Sequence, residues 1–248
     1  MSTIQRFLRQ SLLALGIATA GASASAIPIT LPTTHIDANA YFSFDQDIAG
    51  LMENMGLSAH ALGNTKAVAG SNWRFAMPVT QVTLDARILP LGLEPKSGFA
   101  TGSGLLIQSG TGALSLANFG LDFERNVLTA DLGTAAGVVK NFDVYSFTVD
   151  KGLHVSTTGG LSMGMNLSHL VLTGAAQVQF ANALQLDEIA VAVLPNIDFG
   201  TLDVKISPAL RFGVSDKPLA AAVPETPTYA TLGLGLLGLA FLKRRTLV

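Results

Sequence analysis

Apolar and polar residues alternate along the middle of this chain, and this period of two limits its fold more than any other feature. The alternation is clearest in two segments, with apolar residues at Val82, Leu84, Ala86 and Ile88, and again at Leu202, Val204 and Ile206. A period of two is that of a β-strand with one buried face. Several such segments separated by Gly and Asn turns predict an all-β fold, an antiparallel β-sandwich or barrel with one or two short helices.

Further segments with strand character complete this prediction. They are Ala113–Phe123, Val127–Leu132, Val138–Val149, Leu161–Thr173, Ile189–Leu194 and Thr201–Ile206. Within the first of them the apolar residues change phase after Leu116, and this predicts a β-bulge near Ala117–Asn118.

Two segments have helical character instead. In Ser43–Gly56, Ser43 and Gln46 fit a capping box, and Gly56 suits the position just beyond a helix C-terminus. One face of this helix is predicted to dock on the core through Phe44, Ile48, Leu51 and Met55. The second candidate helix, Gly174–Leu186, has an apolar face made mostly of Ala.

The N-terminus has the three parts of a secretory signal peptide. Arg6 and Arg9 form a positive region, Leu12–Ala20 is apolar, and Ala24 and Ala26 mark a small-x-small cleavage site for signal peptidase. Residues 1–26 are therefore predicted to be removed on export, which makes Ile27 the mature start. An uncleaved N-terminal anchor is the alternative.

The C-terminus has the three parts of a sorting tail. Val223-Pro224-Glu225 precedes the apolar segment Tyr229–Leu242, and Lys243-Arg244-Arg245 follows it. The apolar segment is shorter than the roughly 20 residues of a typical membrane span, but it has no polar face, unlike a surface helix. The basic cluster would stay cytoplasmic and stop transfer. The predicted organisation is a single β-rich extracellular domain at 27–214, a flexible linker at 215–222 and a tail with a short transmembrane segment at 223–248.

This tail resembles the PEP-CTERM sorting signal of Gram-negative exosortase systems. Two departures are present: Thr226 separates Glu225 from Pro227, and Thr246-Leu247-Val248 trail the basic cluster. The resemblance implies an exosortase-type processing enzyme as a partner. It also implies a structural or adhesive role at the envelope surface or in an exopolysaccharide matrix. A plain C-terminal anchor that is never processed is the alternative.

Composition limits the chemistry of the region between the two ends. The ends hold two and three of the 15 basic residues and only one of the 17 acidic ones, so the remaining region is acidic. An acidic domain is a poor partner for nucleic acid or anionic lipid. The absence of Cys excludes disulfides and thiolate catalysis.

The sequence carries no catalytic or phosphate-binding motif, and we expect neither an enzyme nor a bound cofactor. His35, His60, His154 and His169 are widely scattered, and ordinary surface or strand positions explain them. Acidic residues outside cells can bind calcium, but these lack Asp-x-Asp spacing and are better explained as solvated strand ends: Asp143, Asp150, Asp187, Glu188 and Asp198.

A second resemblance concerns the domain itself. Gly112–Leu132, Leu170–Leu186 and Phe199–Val204 are similar to the HtaA-type domain of bacterial surface proteins, a β-rich family in which some members bind haem through a tyrosine. No haem-ligand motif is matched residue by residue, and Tyr41 and Tyr145 are the tyrosines available. The resemblance supplies the alternative function, a surface domain that binds a ligand such as haem or a glycan.

Overall fold

The computed structural model describes residues 27–87, 92–157 and 161–222. These residues form β-strands for the most part. The strands are β1 (Ile27–Pro32), β2 (Ile36–Ser43), β3 (Ser58–Gly63), β4 (Lys66–Ala67), β5 (Arg74–Pro78), β6 (Gln81–Arg87), β7 (Gly92–Gln108), β8 (Ala113–Asp122), β9 (Val127–Thr134), β10 (Gly137–Ser156), β11 (Ser162–Leu172) and β12 (Thr201–Leu210).

All strands belong to one antiparallel sheet that curls into a half-barrel. Its order is β1-β6-β7-β8-β9-β10-β11-β12-β2-β5-β4, with β3 paired beside β7. Only residues 33–35 separate β1 from β2, and only residues 79–80 separate β5 from β6. In the sheet, β1 pairs with β6 at one end of this order, and β2 pairs with β5 near the other end. These two ends are joined by short connections in the chain. The sheet must therefore curl back on itself. The predicted all-β fold is confirmed.

Within the described residues, three short α-helices lie between strands, one more than the upper number predicted. They are α1 (Gln46–Asn54), α2 (Gly174–Leu184) and α3 (Glu188–Val193), and a 3-10 turn, Leu194–Asn196, follows α3. The strand predicted at Ile189–Leu194 is wrong, since these residues form α3 and the start of that turn. The Asp187 side chain begins α3 by accepting a hydrogen bond from the Ala190 N–H at 2.7 Å.

Helix α1 forms where it was predicted, but its start and one residue of its buried face differ. Asp45 is the N-cap and accepts the Asp47 N–H at 2.9 Å, whereas Ser43 is the last residue of β2. Met52 is only 4% exposed and enters the core, whereas Leu51 is 39% exposed and points outward. The predicted docking through Phe44, Ile48 and Met55 is confirmed, since these residues are in or packed against the core. The predicted docking through Leu51 is wrong, because the neighbouring Met52 of the same apolar face is the residue that the helix buries.

The inner face of the curled sheet holds the core. Cross-strand neighbours on this face are apolar, as in the pairs Leu167–Leu202 and Leu202–Phe42. At one end of the half-barrel the three helices and an aromatic cluster fill the interior. The cluster consists of Phe42, Phe44, Trp73, Phe75, Tyr145, Phe180 and Phe199. We call this the packed end.

The bulge predicted in β8 is confirmed. The register between β8 and β9 shifts between Ala117 and Gly120, and Asn118 has a left-handed φ of 54°. Asn tolerates this conformation better than most residues. The bulge turns the Asn118 side chain toward the segment 215–222, which lies along the outside of the sheet. The segment 215–222, for which the sequence predicts a flexible linker, makes hydrogen bonds to Asn64 and Asn118.

Candidate functional site

The end of the half-barrel opposite the helices holds an open cleft. Its volume is about 350 Å³, within the range of roughly 300–1,000 Å³ that is typical of small-molecule pockets. Inner-face residues of nearly every long strand line it. The deeper lining includes Ala40, Met77, Val79, Val82, Leu84, Ala100, Phe119, Leu121, Leu128, Met165, Leu202 and Val204.

Four of the residues that line the cleft carry a hydroxyl group. Ser97 lies near the start of β7, Ser162 begins β11, and Ser207 lies near the end of β12. Thr33, at the junction of β1 and β2, is the remaining hydroxyl and donates to the Val79 carbonyl at 2.8 Å. No charged side chain is among the described lining residues. The Ser207 hydroxyl donates to the Asp37 carboxylate at 3.2 Å. The surface of the cleft is therefore almost entirely apolar and carries no charge.

The apolar lining continues onto the exposed rim of the cleft. Ile29 and Leu31 of β1 pair with Leu84 and Val82, and all four share the inner face of the sheet. Across the opening, Val155 pairs with Met163 at the end of the β10–β11 hairpin. Val155 is 63% exposed. A contiguous exposed apolar surface that leads into a cavity is a recognised mark of a binding site.

Arg211 fixes the wall of the cleft at the junction where the sheet curls. Its guanidinium donates to the backbone carbonyl groups of Thr33, Ala38 and Val79. Burial lowers the pKa of Arg211, and the nearby Asp37 carboxylate opposes this shift. Thr33 and Val79 line the cleft, so these hydrogen bonds fix the position of the backbone that forms its wall.

The two tyrosines considered as haem ligands lie apart from the cleft lining. Tyr41 of β2 alternates with the inward-facing Ala40 and Phe42, and its ring lies under the Arg74 guanidinium at 5.7 Å. Tyr145 is fully buried among the aromatic residues of the packed end. Its hydroxyl has no hydrogen-bond partner within the described part of the chain, and burial raises the pKa of this hydroxyl.

Replacing Tyr145 by Phe is expected to leave stability unchanged or to raise it by about 1 kcal/mol, because the substitution removes a buried hydroxyl without a partner. Chemical denaturation measures this directly. A loss of more than about 1 kcal/mol would show that the hydroxyl is hydrogen-bonded, for example to a water in the neighbouring cavity of about 20 Å³.

Four of the five acidic residues considered as calcium ligands have a separate local partner. Asp143 pairs with Arg125 at 2.6 Å, Asp150 accepts from Ser168 at 2.7 Å, and Asp198 pairs with His169 at 2.8 Å. Asp187 caps α3, and Glu188 occupies its first turn. Within residues 27–87, 92–157 and 161–222, no group of three or more His, Asp or Glu side chains is placed to hold a metal ion.

The residues predicted for targeting lie outside the described residues. They are Ala24 and Ala26 of the signal peptide, Val223, Pro224 and Glu225 of the sorting motif, and the basic cluster Lys243, Arg244 and Arg245. Among the residues that are described, no helix is both long and apolar enough to cross a bilayer.

Comparison with known proteins gives fold-level likeness only. No protein-family model matches the chain, and no curated protein matches it. The solved structures it is similar to include the C-terminal domain of HtaA from Corynebacterium glutamicum. The identity is 13% and the TM-score 0.43, over 69% of this chain and 96% of that one. It is also similar to the heme binding protein HtaB from Corynebacterium glutamicum, at 9% identity and a TM-score of 0.43, over 75% of this chain and 98% of that one.

Proposed function

We propose that this protein is an exported binding domain that holds a single-chain amphiphile, such as a long-chain fatty alcohol or monoacyl lipid, in its cleft. The observation that carries the proposal is the apolar cleft itself, which is open at one end and continuous with an apolar rim. The domain acts by binding, and we assign no catalytic step to it.

The chemistry of the lining supports an apolar ligand with a neutral head. Burial of apolar surface contributes about 25 cal/mol per Å², so an acyl chain in this cleft gains affinity along its whole length. The cleft offers almost no polar surface, so the polar head of such a ligand would lie at the open, solvent-exposed end. A carboxylate or phosphate would find no cationic side chain among the lining residues, which favours an uncharged head.

The two ligands considered from the sequence fit this cleft less well. A glycan would leave most of its hydroxyl groups without hydrogen-bond partners against the aliphatic wall, and each unpaired buried group costs free energy. Haem needs an axial ligand, and in this cleft only the thioethers of Met77, Met163 and Met165 could supply one. A structural or adhesive role in a matrix stays a prediction.

Titration of the purified protein with a fluorescent long-chain fatty alcohol tests the proposal. We expect saturable binding that unlabelled monoacylglycerol displaces and that a soluble oligosaccharide leaves unchanged. A parallel titration with haem monitors the Soret band. Absence of saturable binding by the alcohol would overturn the proposal, and a haem-induced Soret shift without acyl binding would identify the alternative ligand.

We further infer that export and sorting follow from the two ends of the chain. Signal peptidase would cut after Ala26, and an exosortase-type enzyme of a Gram-negative envelope would recognise Val223-Pro224-Glu225 while Lys243-Arg244-Arg245 stays cytoplasmic. The observation that supports this is the order of the three parts of the tail.

The mature protein is expected to lack Tyr229–Val248, and intact-mass analysis of protein from the native host checks this. Replacing Pro224 and Glu225 by Ala should leave the unprocessed form in the inner membrane. A native mass that includes Lys243-Arg244-Arg245 would show that the tail is an ordinary anchor that is not processed. Normal processing of the double variant would show that the motif is not recognised.

A further inference from the structure

We propose that a groove on the outside of the half-barrel is a binding site for an extended peptide backbone, and that its occupant is the chain's own segment 215–222. We call this segment the strap. Docking of the strap fixes Ala222, the last described residue, at a set position on the surface of the domain. The contacts that carry this inference are separate from the cleft.

Two asparagines each form a pair of hydrogen bonds with the backbone of the strap. Asn64 donates from Nδ2 to the Ser215 carbonyl at 2.7 Å and accepts the Ser215 N–H at 3.2 Å. Asn118 donates from Nδ2 to the Leu219 carbonyl at 2.8 Å and accepts the Leu219 N–H at 2.8 Å. A side-chain amide carries both a donor and an acceptor, so each asparagine pairs with one strap residue as a neighbouring strand would.

Both asparagines are themselves held in place by the sheet. The Asn64 amide also donates to the Thr101 carbonyl at 3.1 Å. Asn118 also donates to Asp131 at 2.8 Å and accepts the Gly102 N–H at 3.1 Å. Side chains fixed by further hydrogen bonds lose little freedom on binding, and preorganisation of this kind favours a real binding site over a chance surface contact.

Glycines create the space in which the strap lies. A Cβ at Gly102 would lie 3.0 Å from the Lys217 carbonyl oxygen, and one at Gly104 would lie 2.9 Å from Leu219 Cδ2. A Cβ at Gly133 would overlap the Ala222 carbonyl oxygen and would lie 2.5 Å from the Ser115 Oγ that donates to it, so it would displace both partners of this hydrogen bond. The missing side chains let the two backbones approach closely.

The strap ends at a distance from the cleft. Ser115 and Leu121 lie six positions apart on β8, or roughly 20 Å at 3.4 Å per residue. Ser115 holds the end of the strap, and Leu121 lines the cleft. The strap therefore ends away from the cleft, on the part of β8 that lies nearer the packed end.

Limited digestion of the full-length protein with a broad-specificity protease, followed by intact-mass analysis, tests the docking. A held segment resists cleavage because cleavage requires local opening. The wild-type digestion product is expected to end at Ala222 or later. The double variant Asn64→Ala with Asn118→Gly should end before Ser215, since glycine keeps the left-handed φ at position 118 while both strap contacts there are lost.

A second variant blocks the groove instead of removing the asparagines. Gly133→Ala is expected to shorten the product to an end between Leu219 and Ala222. Gly152→Ala is the matched control, because a Cβ there has no atom within 4 Å, and its product should equal the wild-type one. Wild-type protein trimmed back into 215–222 would overturn the proposal. So would a Gly133→Ala product as long as the wild-type one, and this variant remains decisive if the asparagine double variant fails to fold.

Discussion

Replacing Gly98 by Phe is expected to weaken acyl-ligand binding by about tenfold or more, which corresponds to at least about 1.4 kcal/mol. Gly98 lies on β7 between Val82 and Leu121, its cross-strand partners, and all three line the cleft. A side chain at this position therefore points into the cavity. A phenyl ring there occupies part of the volume of about 350 Å³ that the ligand would fill.

Two further glycine variants make this experiment selective. A Cβ at Gly98 meets Leu121 Cδ1 at 3.9 Å and no closer atom, so Gly98→Ala should bind almost as well as the wild type. Gly152→Phe places the same ring on an exposed part of the β10–β11 hairpin and should leave binding unchanged. Titration with the fluorescent alcohol provides the measurement. If Gly98→Phe and the wild type bind the alcohol with equal affinity, the cleft is not the binding site.

Replacing Met52 by Asp is expected to destabilise the domain by about 3–5 kcal/mol, whereas Leu51→Asp at the neighbouring position should cost less than about 1 kcal/mol. Met52 is 4% exposed and packs in the core, where a carboxylate has no partner that can compensate its lost hydration. Leu51 is 39% exposed on the same helix, so a carboxylate there stays hydrated.

Thermal unfolding of the two variants separates these positions. For a domain of this size, 1 kcal/mol shifts Tm by roughly 2–4 °C, so Met52→Asp should lower Tm by on the order of 10 °C. Leu51→Asp should change it by a few degrees at most. The two variants share helix propensity and charge, and the difference between them reports burial. Equal Tm values would show that α1 does not dock through Met52.

The strand pattern was predictable because it depends on local alternation. The alternating residues of Gln81–Arg87 and Thr201–Leu210 became β6 and β12, and the phase change after Leu116 became the bulge at Asn118. The helical period near Ser43–Gly56 became α1. In each case a single segment contains enough residues to show which face is buried.

Predictions failed where a short segment is compatible with two structures. Ile189–Leu194 is an apolar run too short to distinguish a strand from a helix by periodicity alone, and the Asp187 cap decides for α3. Likewise, Leu51 and Met52 are both apolar, and the rotation of α1 against the sheet determines which one is buried.

The candidate site could not be found from the sequence. The cleft is lined by side chains of many strands, which are far apart in the sequence. Within its own strand, each of the apolar lining residues is indistinguishable from an ordinary core residue. The difference between a filled interior and an open one depends on where the helices pack, and they pack at one end only. Gly98, a small residue at an inward position, is the sequence signal that could have suggested a cavity.

The sequence by itself determined the all-β class, the strand periodicity, the acidic and Cys-free composition and the targeting motifs predicted at both ends, because each depends on residues that are adjacent or evenly spaced. Only the tertiary structure decided that the half-barrel is open at one end and that residues 215–222 dock on its outer surface. Those features depend on distant partners: Asn118 meets Leu219 across 101 positions, and Asn64 meets Ser215 across 151. A short, Pro-containing segment shows no periodicity that could reveal such partners, since its hydrogen bonds come from its backbone.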